Sequence, residues 1–277
     1  MKPAPKVFLF DNGSLRPQAT FGLRELAERL SQRTQLTVEA VSLLHSHKIP
    51  AEKLGGIPAT IVRRRLKECL AAGERSFILL PLFLSPSLAI SEYLPELIEE
   101  ARNIAPDVDI RVAAPLVGYS VAAPDPRLAE MLADHVRATI ASHGLDQPNV
   151  ALVDHGTPIQ LVNQVRNSVA VQLGTELTGD VAQVIASSME RRDGPEYAFN
   201  DPLLENLDAV FEPGGDCVIA MFFILPGRHA GEGGDVAEIC EGLTKRGVFE
   251  NIYVTPLLGE HPKLLDILAD RLGELKS

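Results

Sequence analysis

The chain has 277 residues, 45% of them apolar, and a formal charge of −11 from 26 Lys and Arg against 37 Asp and Glu. That size and composition suit one large or two ordinary packed domains and exclude a disordered or low-complexity chain. The acidic balance excludes a broad basic surface for nucleic acid, and no apolar run reaches the roughly 18–20 residues of a membrane span.

The apolar stretch in "MKPAPKVFLF" is too short for a secretory signal. It opens the first strand, "KVFLF" at 6–10, which halts on "DNGS". Helical periodicity follows in "FGLRELAERLSQR" (21–33), then a strand in "TVEAVSLL" (37–44) and a helix in "IPATIVRRRLKECLAAG" (57–73). "SFILLPLFL" (76–84) and "DIRVAAPL" (109–116) read as strands, "SEYLPELIEEARNI" (91–104) and "DPRLAEMLADHVRATIAS" (125–142) as helices. "ASHGLDQPNV" (141–150) carries the Gly, Pro and Asn of a linker. Beyond it the strand order begins again with "NVALVDH" (149–155), "VAQVIASS" (181–188), "CVIAMFFIL" (217–225) and "NIYVTPLL" (251–258).

The second half repeats the first. "FLFDNGS" matches "ALVDHGT" with an offset of 143, 155 less 12, and "ILLPLFLSPS" matches "IAMFFILPGR" with Pro81 opposite Met221. "RVAAPLVGYS" matches "YVTPLLGEHP" with Pro115 opposite Pro256, and "MLADHV" echoes "ILADRL". Four matches in one order imply a duplicated unit of about 140 residues. Near-continuous apolar strands alternating with amphipathic helices predict two similar doubly wound parallel-sheet α/β domains, 1–145 and 146–277. Ligands in such folds sit beyond the carboxyl ends of the strands. The cleft between the domains is the expected site.

Two imidazoles leave strand ends for tight turns. His155 precedes Gly-Thr, and His229 precedes "AGEGGD"; the matching first-half positions are Asn12 and Ala89. Two histidines kept in one copy and absent from the other point to a pair with one task, the alternative being that each bonds its own turn. Neutral imidazoles with open positions beside them suit divalent Co, Fe, Ni or Zn. Glu190 follows the second strand of its half, opposite His45 at an offset of 145. It reads as a third ligand or proton acceptor, or else as a solvated acid beside Arg191 and Arg192. The arginine run "VRRRLKE" reads as a solvated helix face, and His135 is assigned no role. His261 in "GEHP" reads as turn packing, and Cys69, Cys217 and Cys240 as reduced, packed thiols.

"DHGT", a "PLFL"-like strand ending in "LPGRH", and a late "PLLGEHP" resemble the sirohydrochlorin chelatase family of cobalamin and sirohaem biosynthesis, the CbiX/SirB type. The likeness spans both halves, in the manner of the two-repeat members. It implies a cytoplasmic lyase that inserts a divalent metal, cobalt first and iron or nickel as alternatives, into the tetrapyrrole sirohydrochlorin. The metal is then a substrate, and no cofactor is expected. His155 and His229 carry over as metal ligands, with Glu190 joining them in catalysis. Because the first half has Asn12 and Ala89, the site falls in the second. Activity should fall as imidazole protonates below roughly pH 6.

An anionic protein needs local donors for a many-carboxylate ring. Arg228, the amides of "GEGGD", Gly156 and Thr157 are candidates, with Asn12, Ser14 and Arg16 from the first half. The chain is expected as monomer or homodimer, with no nucleic-acid or membrane partner. The rival reading is a non-catalytic tetrapyrrole- or metal-binding descendant.

Overall fold

The computed structural model describes residues 4–231 and 233–275. It contains eight strands: β1 (Lys6–Asp11), β2 (Val38–Ser42), β3 (Ser76–Pro81), β4 (Asp109–Val112), β5 (Asn149–Asp154), β6 (Gln183–Ser188), β7 (Asp216–Met221) and β8 (Asn251–Val254). The α-helices are α1 (Pro17–Thr34), α2 (Val62–Ala71), α3 (Leu94–Ile104), α4 (Arg127–His143), α5 (Gln160–Glu176), α6 (Asp235–Lys245) and α7 (Lys263–Gly273). The strands form two parallel sheets of identical topology, β2-β1-β3-β4 and β6-β5-β7-β8. Two α/β domains of one design are thus present. Among the described residues no helix is long and apolar enough to cross a membrane.

Each central strand is buried on both faces, which is why its sequence does not alternate. Val7 to Phe10 and Val150 to Val153 are at most 1% exposed. Phe8 and Phe10 pack with Phe77 and Leu79 under α2 and α3 in the first sheet. Ala151 and Val153 pack with Ile219, Met221, Val236 and Leu243 under α6 in the second. Cys69, Cys217 and Cys240 are free and buried, and burial pushes the Cys240 thiol up to about 12.

The segment read as one helix over 57–73 begins its α-helix only at Val62. Residues 57–60 lie outside any helix and Ile61 is extended, while Thr60 O accepts the amide of Ser42 beyond the sheet edge. The arginine run on α2 is tied down as well as solvated: Arg65 Nε meets Glu39 at 2.5 Å and Arg63 meets Glu100 at 2.9 Å.

The compact units cut the chain differently from the repeat. One comprises Met1–Tyr119 with Pro262–Ser277, the other Ser120–His261. The last helix of each repeat therefore belongs to the unit built mainly from the other. In the first unit Arg271 of α7 donates to Pro115 O (3.1 Å) and Leu116 O (3.0 Å) at the end of β4. In the second unit Arg137 of α4 pairs with Asp180 at 2.8 Å, and His135 meets His261 edge to face at 5.2 Å. His135, given no role from sequence, is half-buried against His261, which pairs with Asp134 at 3.3 Å.

Candidate metal centre

All the residues closest to the proposed chemistry lie in the second unit, at the carboxyl ends of β5, β6 and β7. β5 ends on Asp154, and His155 begins a turn in which Gly156 has φ +91°. A Cβ there would stand 1.8 Å from Glu190 O, so only glycine lets the two strand ends close. They are zipped by Met189 N to Asp154 O (2.8 Å) and Glu190 N to His155 O (3.2 Å). That ladder sets Glu190 beside His155.

The two imidazoles meet as the sequence predicts. Their centroids are 4.5 Å apart, edge to face with an interplanar angle of 78°. Neither is sealed in the core: the His155 side chain is 47% exposed and that of His229 29%. His155 Nδ1 lies 3.1 Å from Gly156 O, an acceptor, which assigns the ring hydrogen to Nδ1 and the lone pair to Nε2. Nε2 is 3.4 Å from Glu190 Oε1. Two acceptor atoms thus face each other at the end of the turn.

His229 is held by a residue that sequence reading had placed only as part of an amide cradle. Asp235, first residue of α6, accepts from His229 Nδ1 at 2.6 Å, again leaving Nε2 for a ligand. Val236 N closes the turn onto His229 O at 3.2 Å. Gly234 is required there because a Cβ would stand 2.8 Å from His229 O. The six-residue separation from His229 to Asp235 across a glycine-rich turn hid this pairing, since loop closure is not a periodic signal. Glu232 lies outside the described residues.

Among the described residues no three His, Cys, Asp or Glu side chains form a ready metal cage. The site offers two imidazole nitrogens with an acid beside one of them, leaving the other coordination positions to water or substrate.

Three of the backbone donors suggested for substrate are already committed. Gly156 N donates to Asp154 Oδ1 at 3.0 Å, and Thr157 N donates to Asn200 Oδ1 at 3.0 Å. Thr157 Oγ1 accepts from Ile159 N at 3.1 Å. At the start of α6, Gly234 N is spent on Gly231 O at 3.0 Å. Arg228 stays open to solvent, 77% exposed, with Nε 3.7 Å from Asp235. Asn12, Ser14 and Arg16 follow β1 in the first unit, where Ser14 Oγ accepts from Arg16 N at 3.1 Å.

Strand register refines the repeat alignment. Asp11 pairs with Ser42 as Asp154 pairs with Ser188, and Leu44 N reaches Asn12 O as Glu190 N reaches His155 O. The counterpart of Glu190 is therefore Leu44, one residue before His45, and the position is not polar in both copies. Ala89 stands as the counterpart of His229, because Pro81 and Met221 occupy matching rungs. At the last strand the register pairs Pro115 with Leu257, since Leu116 N and Leu258 N bond to Phe83 O and Phe223 O.

A family model described as CbiX matches residues 6–139. That stretch, the first repeat, is similar to the CbiX family. This is the sirohydrochlorin chelatase family that the chain's motifs resemble, and the matched stretch is the repeat with Asn12 and Ala89. Among solved structures, SirB from Bacillus subtilis with Fe3+ is similar at 16% identity and TM-score 0.70, over 98% of this chain and 95% of that one. SirB from Bacillus subtilis subspecies spizizenii in complex with cobalt gives 14%, 0.69, 98% and 95%. DR2241 from Deinococcus radiodurans gives 16% and 0.60, over 97% of this chain but 54% of that one. These are likenesses of fold, and they span both repeats. No curated protein matches the chain.

Proposed function

We propose that this protein inserts a divalent metal ion into sirohydrochlorin, with cobalt the first candidate and iron or nickel the alternatives. The observation that carries the reading is the meeting of His155 and His229, 74 residues apart in sequence (229 less 155), at 4.5 Å with Glu190 beside them. His155 and His229 take the ion through their Nε2 atoms. Two imidazoles hold it with incomplete coordination, so that it sheds water yet passes on to the ring. As the metal enters, two pyrrole protons leave, one to Glu190 and the other to water. Arg228 meets a ring carboxylate, as do the side chains of Thr157, Asn12, Ser14 and Arg16. The metal is substrate, and the chemistry needs no resident cofactor.

Absorbance during incubation with sirohydrochlorin and Co2+ tests this. The expected result is a spectral change faster than metal alone produces, abolished by His155→Ala. Among the described residues no cluster of three ligands forms at the pair, and this favours one rival, a protein that binds metal or tetrapyrrole without turnover. Stoichiometric binding with no rate enhancement would select that rival.

A further inference from the structure

Arg166, on α5, is the bulkiest of the fully buried side chains among the described residues. Taking a guanidinium out of water is costly unless its charge and its donors are met. Here all five N–H bonds are spent. Nε and Nη2 donate to Asn167 Oδ1 at 3.0 and 2.9 Å. Nη1 donates to Ser188 Oγ at 2.5 Å and Asn200 O at 2.8 Å, and Nη2 to Phe199 O at 3.3 Å.

Those acceptors lead to the histidine turn. Ser188 Oγ passes its own hydrogen to Asp154 Oδ1 at 2.6 Å, the oxygen that also accepts Gly156 N. Asn200, held through its carbonyl, clasps Thr157 from both sides: its Oδ1 accepts Thr157 N at 3.0 Å and its Nδ2 donates to Thr157 O at 2.9 Å. The residues flanking His155 are thus tied to one guanidinium, though Arg166 itself touches neither imidazole.

The other repeat is a natural comparison. α1 and α5 align at an offset of 143, since Arg16 and Ile159 are their N-caps, so Leu23 stands where Arg166 does. Thr60 O meets Ser42 N as Pro202 O meets Ser188 N, which puts Pro58 in the place of Asn200. Leu23, Ser42 and Pro58, with Thr20, line a cavity of about 340 Å³, and Asp11 Oδ1 is buried without a partner. The copy without ligand imidazoles also lacks the guanidinium and its clasp.

We propose that Arg166 is a positioning residue for the metal site, fixing the His155–Gly156–Thr157 turn through Ser188, Asp154 and Asn200. The inference rests on the metal-binding reading of His155 and His229. It excludes the simpler role of Arg166 as a counter-charge that only stabilises the fold.

The test compares Arg166→Ala, Arg166→Leu and Arg166→Lys by Co2+ calorimetry and by amide exchange at Gly156 and Thr157. In the folded alanine and leucine variants Co2+ affinity should fall about 10–100-fold, the usual cost of losing an outer-shell partner. Gly156 and Thr157 amides should exchange faster while β7 amides do not. Lysine keeps the charge but not the fork, so it should rescue little. Millimolar methylguanidinium should restore Co2+ binding in Arg166→Ala, which leaves a space, and not in Arg166→Leu, which fills it. A lower melting temperature with wild-type Co2+ affinity and wild-type protection of both amides would overturn the proposal. Should the arginine variants fail to fold, Asn200→Ala removes the clasp and keeps the charge; unchanged Co2+ affinity and Thr157 exchange there would overturn it equally. Wild-type protein that fails to bind Co2+ through His155 sinks the metal-site reading instead, and the exchange measurement still judges Arg166.

Discussion

The two repeats keep the same backbone at the turn after their first strand and differ in what stands on it. Gly13 and Gly156 have φ of +92° and +91°, and a Cβ on either would stand 1.8 Å from a carbonyl oxygen, that of Leu44 or Glu190. Around this shared frame the side chains part company: Asn12 against His155, Leu44 against Glu190, Ala89 against His229, Leu23 against Arg166. The frame is set by sheet register and by two glycines, neither of which depends on metal chemistry. A copy can therefore change its ligands without losing its fold.

The largest expected effect tests that shared frame. Gly13→Ala and Gly156→Ala should each cost about 3 kcal/mol or more, combining left-handed strain with a backbone that must move aside. Urea unfolding measures both. A near-neutral Gly13→Ala would break the comparison, because the first turn would then be free to relax where the second is not. The next effect tests the difference on the frame. His155→Ala should lower the rate of Co2+ insertion by about 100-fold or more. On the proposed role of Asn12 in substrate binding alone, Asn12→Ala should raise KM for the tetrapyrrole by roughly a few-fold with kcat unchanged. Comparable losses of kcat in both variants would mean that the repeats share the chemistry.

Much of this frame was legible before any coordinates. The central strands are buried on both faces and so appear as continuous apolar runs, and the runs before His155 and His229 put both residues beyond strand carboxyl ends. Which sheet a terminal helix covers was not legible. The apolar stripes of α4 and α7 are alike, and nothing in their spacing says that α7 packs with the β1 sheet and α4 with the β5 sheet. One-residue errors of register, as at Glu190, arise because Leu44 and His45 both follow an apolar strand, and only the hydrogen-bond ladder tells them apart. Asp235, Arg166 and Asn200 were missed for a common reason: each meets the site through a loop or a buried network, which leaves no periodic trace.

The acid that ends the first strand sharpens the comparison further. Burial, partly offset by Ser42 and by the backbone, raises Asp11 to about 6 from 3.8. Below pH 3.8 both folded and unfolded chains hold the proton, and the group contributes nothing. Between 3.8 and about 6 only the folded chain holds it, so stability declines as pH rises, and above about 6 the cost is complete at about 2–3 kcal/mol. Asp11→Asn should recover most of that at pH 7.5 and nothing near pH 3.5, as read from unfolding curves at the two values. Asp154 is also raised, chiefly by burial, but Ser188 and Arg166 pull it back. By the same linkage Asp154→Asn should also gain stability at pH 7.5, but less than Asp11→Asn, because Arg166 favours the carboxylate. The gain should thus be smaller in the second repeat. Equal gains would show that Arg166 does not distinguish them.

The smallest effect concerns the second histidine, for which the first repeat has only Ala89. Asp235→Asn keeps an oxygen that accepts from His229 Nδ1 but removes its negative charge, which strengthens the opposite nitrogen as a ligand. KM for Co2+ should rise by about tenfold, at the low end for an outer-shell partner. KM for the tetrapyrrole should change little, because Asp235 is turned toward the imidazole and lies 3.7 Å from Arg228 Nε at closest approach. If instead the tetrapyrrole KM moves and the Co2+ KM does not, then Asp235 serves mainly to hold Arg228 for a ring carboxylate. The metal would then depend on His155 more than on the pair.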